Sequence, residues 1–95
     1  MSTDAHFVYV LRCEDDTLYT GYTTDPERRL AEHQAGEGAK YTRGRTPVEL
    51  VHLERFESRS AAQSREYEIK QHSRDRKASL IEGAKLARRK LPDDD

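Results

Sequence analysis

The sequence predicts an α+β domain: a small three-stranded antiparallel sheet flanked by helices, in the order β-β-α-β-α-α. Three observations predict it. His6–Cys13 (HFVYVLRC) is a β-branched and aromatic run, apolar on both of its alternating faces, as suits a central strand covered on two sides. The short polar break Glu14-Asp15-Asp16 separates it from a second run rich in Thr and Tyr, so the two should pair as antiparallel neighbours. Helix-start signals then recur at Thr24, at Ser58 or Ser60, and at Ser73, with one more strand-like run between the first two.

The second strand is expected over Thr17–Thr23. Thr24-Asp25-Pro26-Glu27 opens the first helix, with Thr24 as cap, Glu27 as its reciprocal partner and Pro26 in the first turn. That helix should reach Gln34 or Ala35 and stop at Gly36. Gly36–Pro47, with Gly38 and Gly44 inside it, is a long connection for so short a chain and a candidate functional loop. Val48–Phe56 (VELVHLERF) reads as the third strand. Ser58 or Ser60 caps the next helix, over 59–72, and Ser60-x-x-Gln63 fits a capping box. Ser73-Arg74-Asp75 starts a last helix to about Ala87. Residues 1–87 are therefore expected to form a single domain and 88–95 a charged C-terminal tail.

At 37% charged and 34% hydrophobic residues the 95-residue chain is polar, but its apolar residues cluster, which favours a fold over disorder. The longest apolar run, Phe7–Leu11, is far short of the roughly 20 residues of a membrane helix. No basic start followed by an apolar stretch marks a signal peptide. The single cysteine, Cys13, suits a reducing compartment. These features lead us to expect a cytoplasmic protein with no membrane association, a monomer or weak dimer.

The net charge of −1 conceals an asymmetry. Residues 1–27 set Arg12 alone against six carboxylates. Residues 28–45 carry Arg28, Arg29, Lys40, Arg43 and Arg45 against Glu32 and Glu37. Residues 58–90 carry ten Lys or Arg against Glu66, Glu68, Asp75 and Glu82. A near-neutral chain can thus still present a basic face to phosphates, although solvated helix faces give the same counts.

Several chemistries lack their residues. The chain has no P-loop and no G-x-G-x-x-G. Cys13 with His6, His33, His52 and His72 gives no zinc spacing. Asp15-Asp16 sits where turn formers belong. What remains is a scattered set. Tyr9 and Tyr19 lie in the first two strands and approach each other if the turn falls at 14–16; core tyrosines with satisfied hydroxyls would look the same. Gly21 weakens the second strand and marks a close approach. Arg29 and His33 share a helix face at i, i+4. Glu66 falls on the stripe of Ala62 and Ile69, where a carboxylate is costly unless paired or bound to a metal; the plainer alternative is a Glu66–Lys70 surface pair. Glu68-Ile69-Lys70 matches the acidic-x-Lys signature of restriction-type nucleases, which belongs on a strand rather than in a helix.

In this order the residues resemble the GIY-YIG nuclease superfamily. Val8-Tyr9 followed by Tyr19-Thr20-Gly21 is similar to the paired motif that names it, with Phe7 in place of the first glycine and Val8 and Thr20 in place of the isoleucines. Arg29, His33 and Glu66 follow in sequence. Gly38-Ala39-Lys40-Tyr41-Thr42-Arg43-Gly44-Arg45-x-Pro47 is similar to the short stand-alone bacterial and archaeal branch. The resemblance spans roughly residues 6–82. It implies a DNA endonuclease, acting in repair or processing, with one divalent metal, Mg2+ or Mn2+; the basic loop offers no base-reading element, so low sequence specificity is expected. It implies that Glu66 holds the metal, Tyr9 orients or deprotonates the attacking water as a phenolate favoured by nearby cations, and Tyr19 contacts the scissile phosphate or assists the water. Arg29 would neutralise phosphate charge and His33 would serve as an auxiliary base or phosphate contact. Lys40, Tyr41, Arg43 and Arg45 would meet DNA, branched or single-stranded; an enzyme acting on RNA, or a protein-interaction domain, is a further alternative. A nucleic-acid-binding module of the same fold, with little catalysis, is the alternative.

Overall fold

The alternation of side chains along one strand builds the molecule. β1 (His6–Arg12) is the middle of a three-stranded sheet ordered β2-β1-β3, with β2 over Leu18–Thr23 and β3 over Glu49–Phe56. Both pairings are antiparallel; Tyr9 faces Gly21 on one side and Leu53 on the other. The helices are α1 (Pro26–Gln34), α2 (Arg59–Lys70) and α3 (Arg74–Lys90), with a single 3-10 turn at Lys40–Thr42. The computed structural model describes residues 5–90, and their side chains to residue 83.

Even-numbered Val8 and Val10 are fully buried against Ala62 and Ile69 of α2 and Ile81 of α3. Each such aliphatic side chain contributes about 1.5–3 kcal/mol on removal from water. Odd-numbered Tyr9, Leu11 and the neighbouring Cys13 pack on the opposite face with Val48, Tyr19 and Leu30 of α1. The expected central strand, and the expected order of elements, are what the structure shows.

Several boundaries shift for local reasons. β1 ends at Arg12 because Cys13 already belongs to the turn, its N–H bonded to the Thr17 carbonyl at 2.8 Å. β2 starts at Leu18 because Thr17 is held by Asp15 in an Asx turn, the Thr17 N–H donating to Oδ1 at 3.2 Å. Asp25, not Thr24, caps α1: Pro26 occupies the first helical position, so the residue before it accepts the Arg28 N–H, at 3.2 Å. β3 begins at Glu49 rather than Val48, because Val48 bonds the Gln34 side chain through both its N–H and its carbonyl. Ser58, not Ser60, caps α2, through the Ala61 N–H at 3.1 Å, so the Ser60–Gln63 box does not form the cap. α2 ends at Lys70, two residues before its expected end, and Ser73 accepts the Arg76 N–H at the start of α3. α3 continues to Lys90, past the expected Ala87; the rest of the expected tail, 91–95, lies outside the described residues.

Candidate active site

Tyr9 is the centre of the polar face. It is 3% exposed, and its hydroxyl lies 3.0 Å from His33 Nε2 and 3.4 Å from Arg29 Nε, which donates to it. One turn of α1 separates those two partners, so the i, i+4 spacing delivers both to one oxygen. Tyr19 sits diagonally across the ladder, its ring 6.3 Å from that of Tyr9 and 5.3 Å from His33. Gly21, opposite Tyr9, is what lets the phenol lie across β2: a Cβ there would collide with the Tyr9 hydroxyl. The close approach expected at this glycine is made by a side chain of the same protein.

The second rank of partners is equally ordered. Glu32 Oε1 accepts from Arg29 at 2.8 Å and fixes the guanidinium. Thr42, fully buried, places its hydroxyl 2.7 Å from His33 Nδ1. Gly38 lies so close to the His33 ring that a Cβ would strike it. Sequence reasoning misses Glu32, Gly38 and Thr42. Glu32 is findable, standing three residues from Arg29 on the same helix face. Gly38 and Thr42 carry no such signal, because only the path of the Gly36–Pro47 loop brings them onto His33.

The electrostatics of the cluster follow mainly from burial. Burial pushes the Tyr9 hydroxyl above its ordinary value; the Arg29 hydrogen bond opposes this, while Tyr19 and Glu66 add to it. Burial thus favours the protonated phenol at Tyr9. Burial and then the Arg29 charge push His33 below its ordinary value, with Glu32 opposing, so the imidazole is neutral. Hydrogen bonds from Arg29 to Glu32 and Tyr9 hold the guanidinium's pKa up.

Glu66 comes from α2, whose buried Ala62 and Ile69 pack on the other face of the sheet. Its carboxylate is 20% exposed and pairs with Lys70 at 3.0 Å, the plainer of the two expectations for it. Its charge is nevertheless felt at the Tyr9 hydroxyl. Glu68-Ile69-Lys70 is helical with Ile69 in the core, which removes the restriction-type reading.

In the loop, Lys40 and Arg43 are exposed. Tyr41 is 42% exposed, but its ring is not a free platform: the Arg45 guanidinium lies 4.6 Å from its centroid, and the Tyr19 ring 5.7 Å away. Arg45 also pairs with Asp15 at 2.6 Å, tying the loop to the β1–β2 turn. The structure thus brings Tyr9, Tyr19, Arg29 and His33 into one cluster, with Tyr41 and Arg45 on its border and Lys40 and Arg43 facing solvent.

A family model described as the GIY-YIG catalytic domain matches residues 5–79. A UPF0213 protein of Natronomonas pharaonis is 72% identical over 76 residues, covering 80% of this chain and 89% of that protein. One from Staphylococcus haemolyticus is 57% identical over 77 residues, covering 81% and 94%. The solution NMR structure of a UPF0213 protein from Bacillus halodurans is 50% identical, with a TM-score of 0.55 over 82% of this chain and 83% of that one. The solution NMR structure of a protein from E. faecalis is 45% identical, with a TM-score of 0.61 over 90% and 93%.

Proposed function

The chain belongs to the GIY-YIG family, a nuclease-type domain, and on that premise we propose that it is a divalent-metal-dependent DNA endonuclease, of low sequence specificity, acting in DNA repair or processing. The observation that carries this reading is the convergence of Arg29 and His33 on the Tyr9 hydroxyl beside Tyr19. Phosphodiester hydrolysis needs an oriented water, a proton acceptor and a charge clamp on the phosphate. Tyr9 orients the water and takes its proton; His33 is the neutral auxiliary base beside it. Arg29 is held in place by Glu32 and Tyr9 and neutralises charge growing on the phosphoryl oxygens. Tyr19 contacts the scissile phosphate at the border of the cluster.

Glu66 is the residue that would hold a metal. Among the described residues no three His, Cys, Asp or Glu gather in one place. A single half-buried carboxylate is a hard oxygen donor that suits Mg2+ or Mn2+, which keep several waters and take substrate phosphate as ligand. Such an ion, when bound, supplies Lewis-acid charge to the phosphoryl group. The substrate is DNA in branched, flapped or single-stranded form, held by Lys40 and Arg43, with Arg45 and Tyr41 shaping the loop. No helix among the described residues is long and apolar enough to cross a membrane.

A binding module without catalysis is the second reading, and one observation favours it: the Tyr9 hydroxyl is buried, protonated and already engaged by two partners. Incubating the purified chain with plasmid, flapped and branched DNA in magnesium or manganese decides between them. The nuclease reading expects cutting that Tyr9→Phe and Glu66→Ala both abolish. Salt-sensitive binding with no cutting by the wild type would establish the module instead.

A further inference from the structure

We propose that Thr42 is a positioning residue that fixes His33 as its Nδ1–H tautomer and so makes Nε2 the acceptor for the Tyr9 proton. The inference deepens the nuclease reading and rests on it for its catalytic consequence, but not for the tautomer itself.

The Thr42 hydroxyl has one hydrogen. The Ala39 carbonyl, 3.0 Å from that hydroxyl oxygen at the cap of the 3-10 turn, can only accept, and the hydrogen is assigned to it. His33 Nδ1 lies 2.7 Å from the same oxygen, which is left only lone pairs on that side, so Nδ1 must bring the hydrogen. A neutral imidazole has one N–H, so Nε2 is bare. At 3.0 Å from Nε2, the Tyr9 hydroxyl donates to it, and the phenol oxygen in turn accepts from Arg29 Nε. The hydrogen bonds therefore run in one direction, from Tyr9 through His33 and Thr42 to a backbone carbonyl. His33 and Thr42 are fully buried, so no water competes for the bond between them. Gly38 presses the loop directly onto the imidazole, which keeps the ring from turning over. The groups facing the imidazole are Arg29 and Glu32 from α1, Tyr9 from β1, Tyr19 from β2 and Thr42 from the turn.

This ordering solves the difficulty left by a protonated Tyr9. As the phenol oxygen takes a proton from the attacking water, its own proton passes to His33 Nε2. The water oxygen forms its bond to phosphorus and the bond to the leaving oxygen breaks. The leaving oxygen takes a proton from solvent, and the imidazolium, its Nδ1–H still held by Thr42, later returns one. With the opposite tautomer Nε2 carries a hydrogen and the Tyr9 proton has no acceptor.

The test is the imidazole 15N spectrum of the full chain together with steady-state cleavage of DNA in magnesium. In the wild type, His33 should show a protonated Nδ1 and a bare Nε2. T42V should lose that preference and lower kcat by roughly 10–100-fold, less than the ~10²–10⁴ that a whole proton-transfer partner supplies, with KM unchanged. T42S should restore both readouts. A wild-type Nε2–H, or a folded T42V that keeps either the Nδ1–H tautomer or the full kcat, overturns the proposal. If T42V does not fold, the wild-type spectrum still upholds or overturns the tautomer. If the wild type cuts no DNA, the nuclease reading falls, while the spectrum still decides what Thr42 does to His33.

Discussion

The two faces of β1 share a backbone and differ in almost everything else. On one, Val8 and Val10 meet Ala62, Ile69 and Ile81 in a dry contact. On the other, the odd positions carry Tyr9 into a network of buried His33 and Thr42 and partly exposed Arg29. The first face is tolerant of chemistry and intolerant of reduced volume; the second is the reverse. A strand's period of two thus lets one short segment pack an aliphatic core with its even residues and set Tyr9 among polar partners, beside Leu11 and Val48, with its odd ones. In so small a chain that division sets the aliphatic core and the polar cluster on one strand.

The comparison breaks most visibly at Tyr9. Tyr9→Phe removes one oxygen from the polar face, and cleavage of DNA should fall by more than about 10²-fold. The fold should lose only about 1–3 kcal/mol, from Arg29 and His33 left short of a partner. Nicking rates and thermal unfolding of the same preparation measure both. A variant that cuts at the parental rate would remove Tyr9 from the chemistry. Ile69→Ala is the converse. It should cost about 2–5 kcal/mol, a large share of what a small domain has, yet below its lowered midpoint it should cut normally. A folded Ile69→Ala chain with a depressed kcat would show that the two faces are coupled through β1.

The loop sharpens the comparison by a smaller step. Lys40 and Arg43 are exposed, whereas Arg45 is engaged by Asp15 and Tyr41. Lys40→Ala with Arg43→Ala should therefore weaken DNA affinity and reduce the salt slope by roughly 0.7–0.9 for each phosphate no longer neutralised, with kcat unchanged. Arg45→Ala should instead loosen the loop from the β1–β2 turn. Equal salt slopes for all three single variants would show that the Asp15 pair does not withhold Arg45 from DNA.

Much of this is legible in the sequence, and the pattern of what is not is physical. β1 as a central strand follows from apolar residues at both parities of 6–13, a signal that one strand contains entirely. The nearness of the two tyrosine-bearing strands follows from a short turn. Arg29 with His33 follows from helical spacing. The cap of α1 is displaced by one residue because two capping residues, Thr24 and Asp25, precede one proline, and only the proline's position in the helix chooses between them. The role of Glu66 stays divided, since its spacing to Lys70 and its place on the apolar stripe are both real in the structure. Gly38 and Thr42 are invisible because their partner lies across an irregular loop, whose path no periodicity encodes. Burial is hidden for a related reason: cations near a phenol can be counted in a sequence, whereas the burial that weighs most on the Tyr9 hydroxyl cannot.

The smallest effect tests whether the structural face also depends on charge. Glu54 of β3 accepts two hydrogen bonds from Arg65 of α2, at 2.8 and 3.0 Å, and lies 2.7 Å from His52 Nε2. Burial alone would raise its pKa; the Arg65 and His52 hydrogen bonds outweigh burial and hold it below the ordinary 4.5. A carboxyl depressed in the folded state stabilises the fold at every pH above its unfolded value, and that contribution disappears as pH falls through the folded one. The Glu54 share should accordingly hold level above about pH 5 and decline below it, in addition to the loss that buried His33, its pKa lowered, brings as pH falls below about 6.5. Glu54→Gln should cost about 1 kcal/mol at neutral pH and flatten part of the acid decline, leaving the share due to Asp15 and Glu32, whose carboxyls are depressed by Thr17 and Arg29. Unfolding midpoints of the two proteins, followed from neutral into acid solution, should therefore converge at the acid end. Parallel curves would mean that the clasp between β3 and α2 is held by apolar contact alone, and that the only titrating network of consequence lies on the Tyr9 side of the sheet.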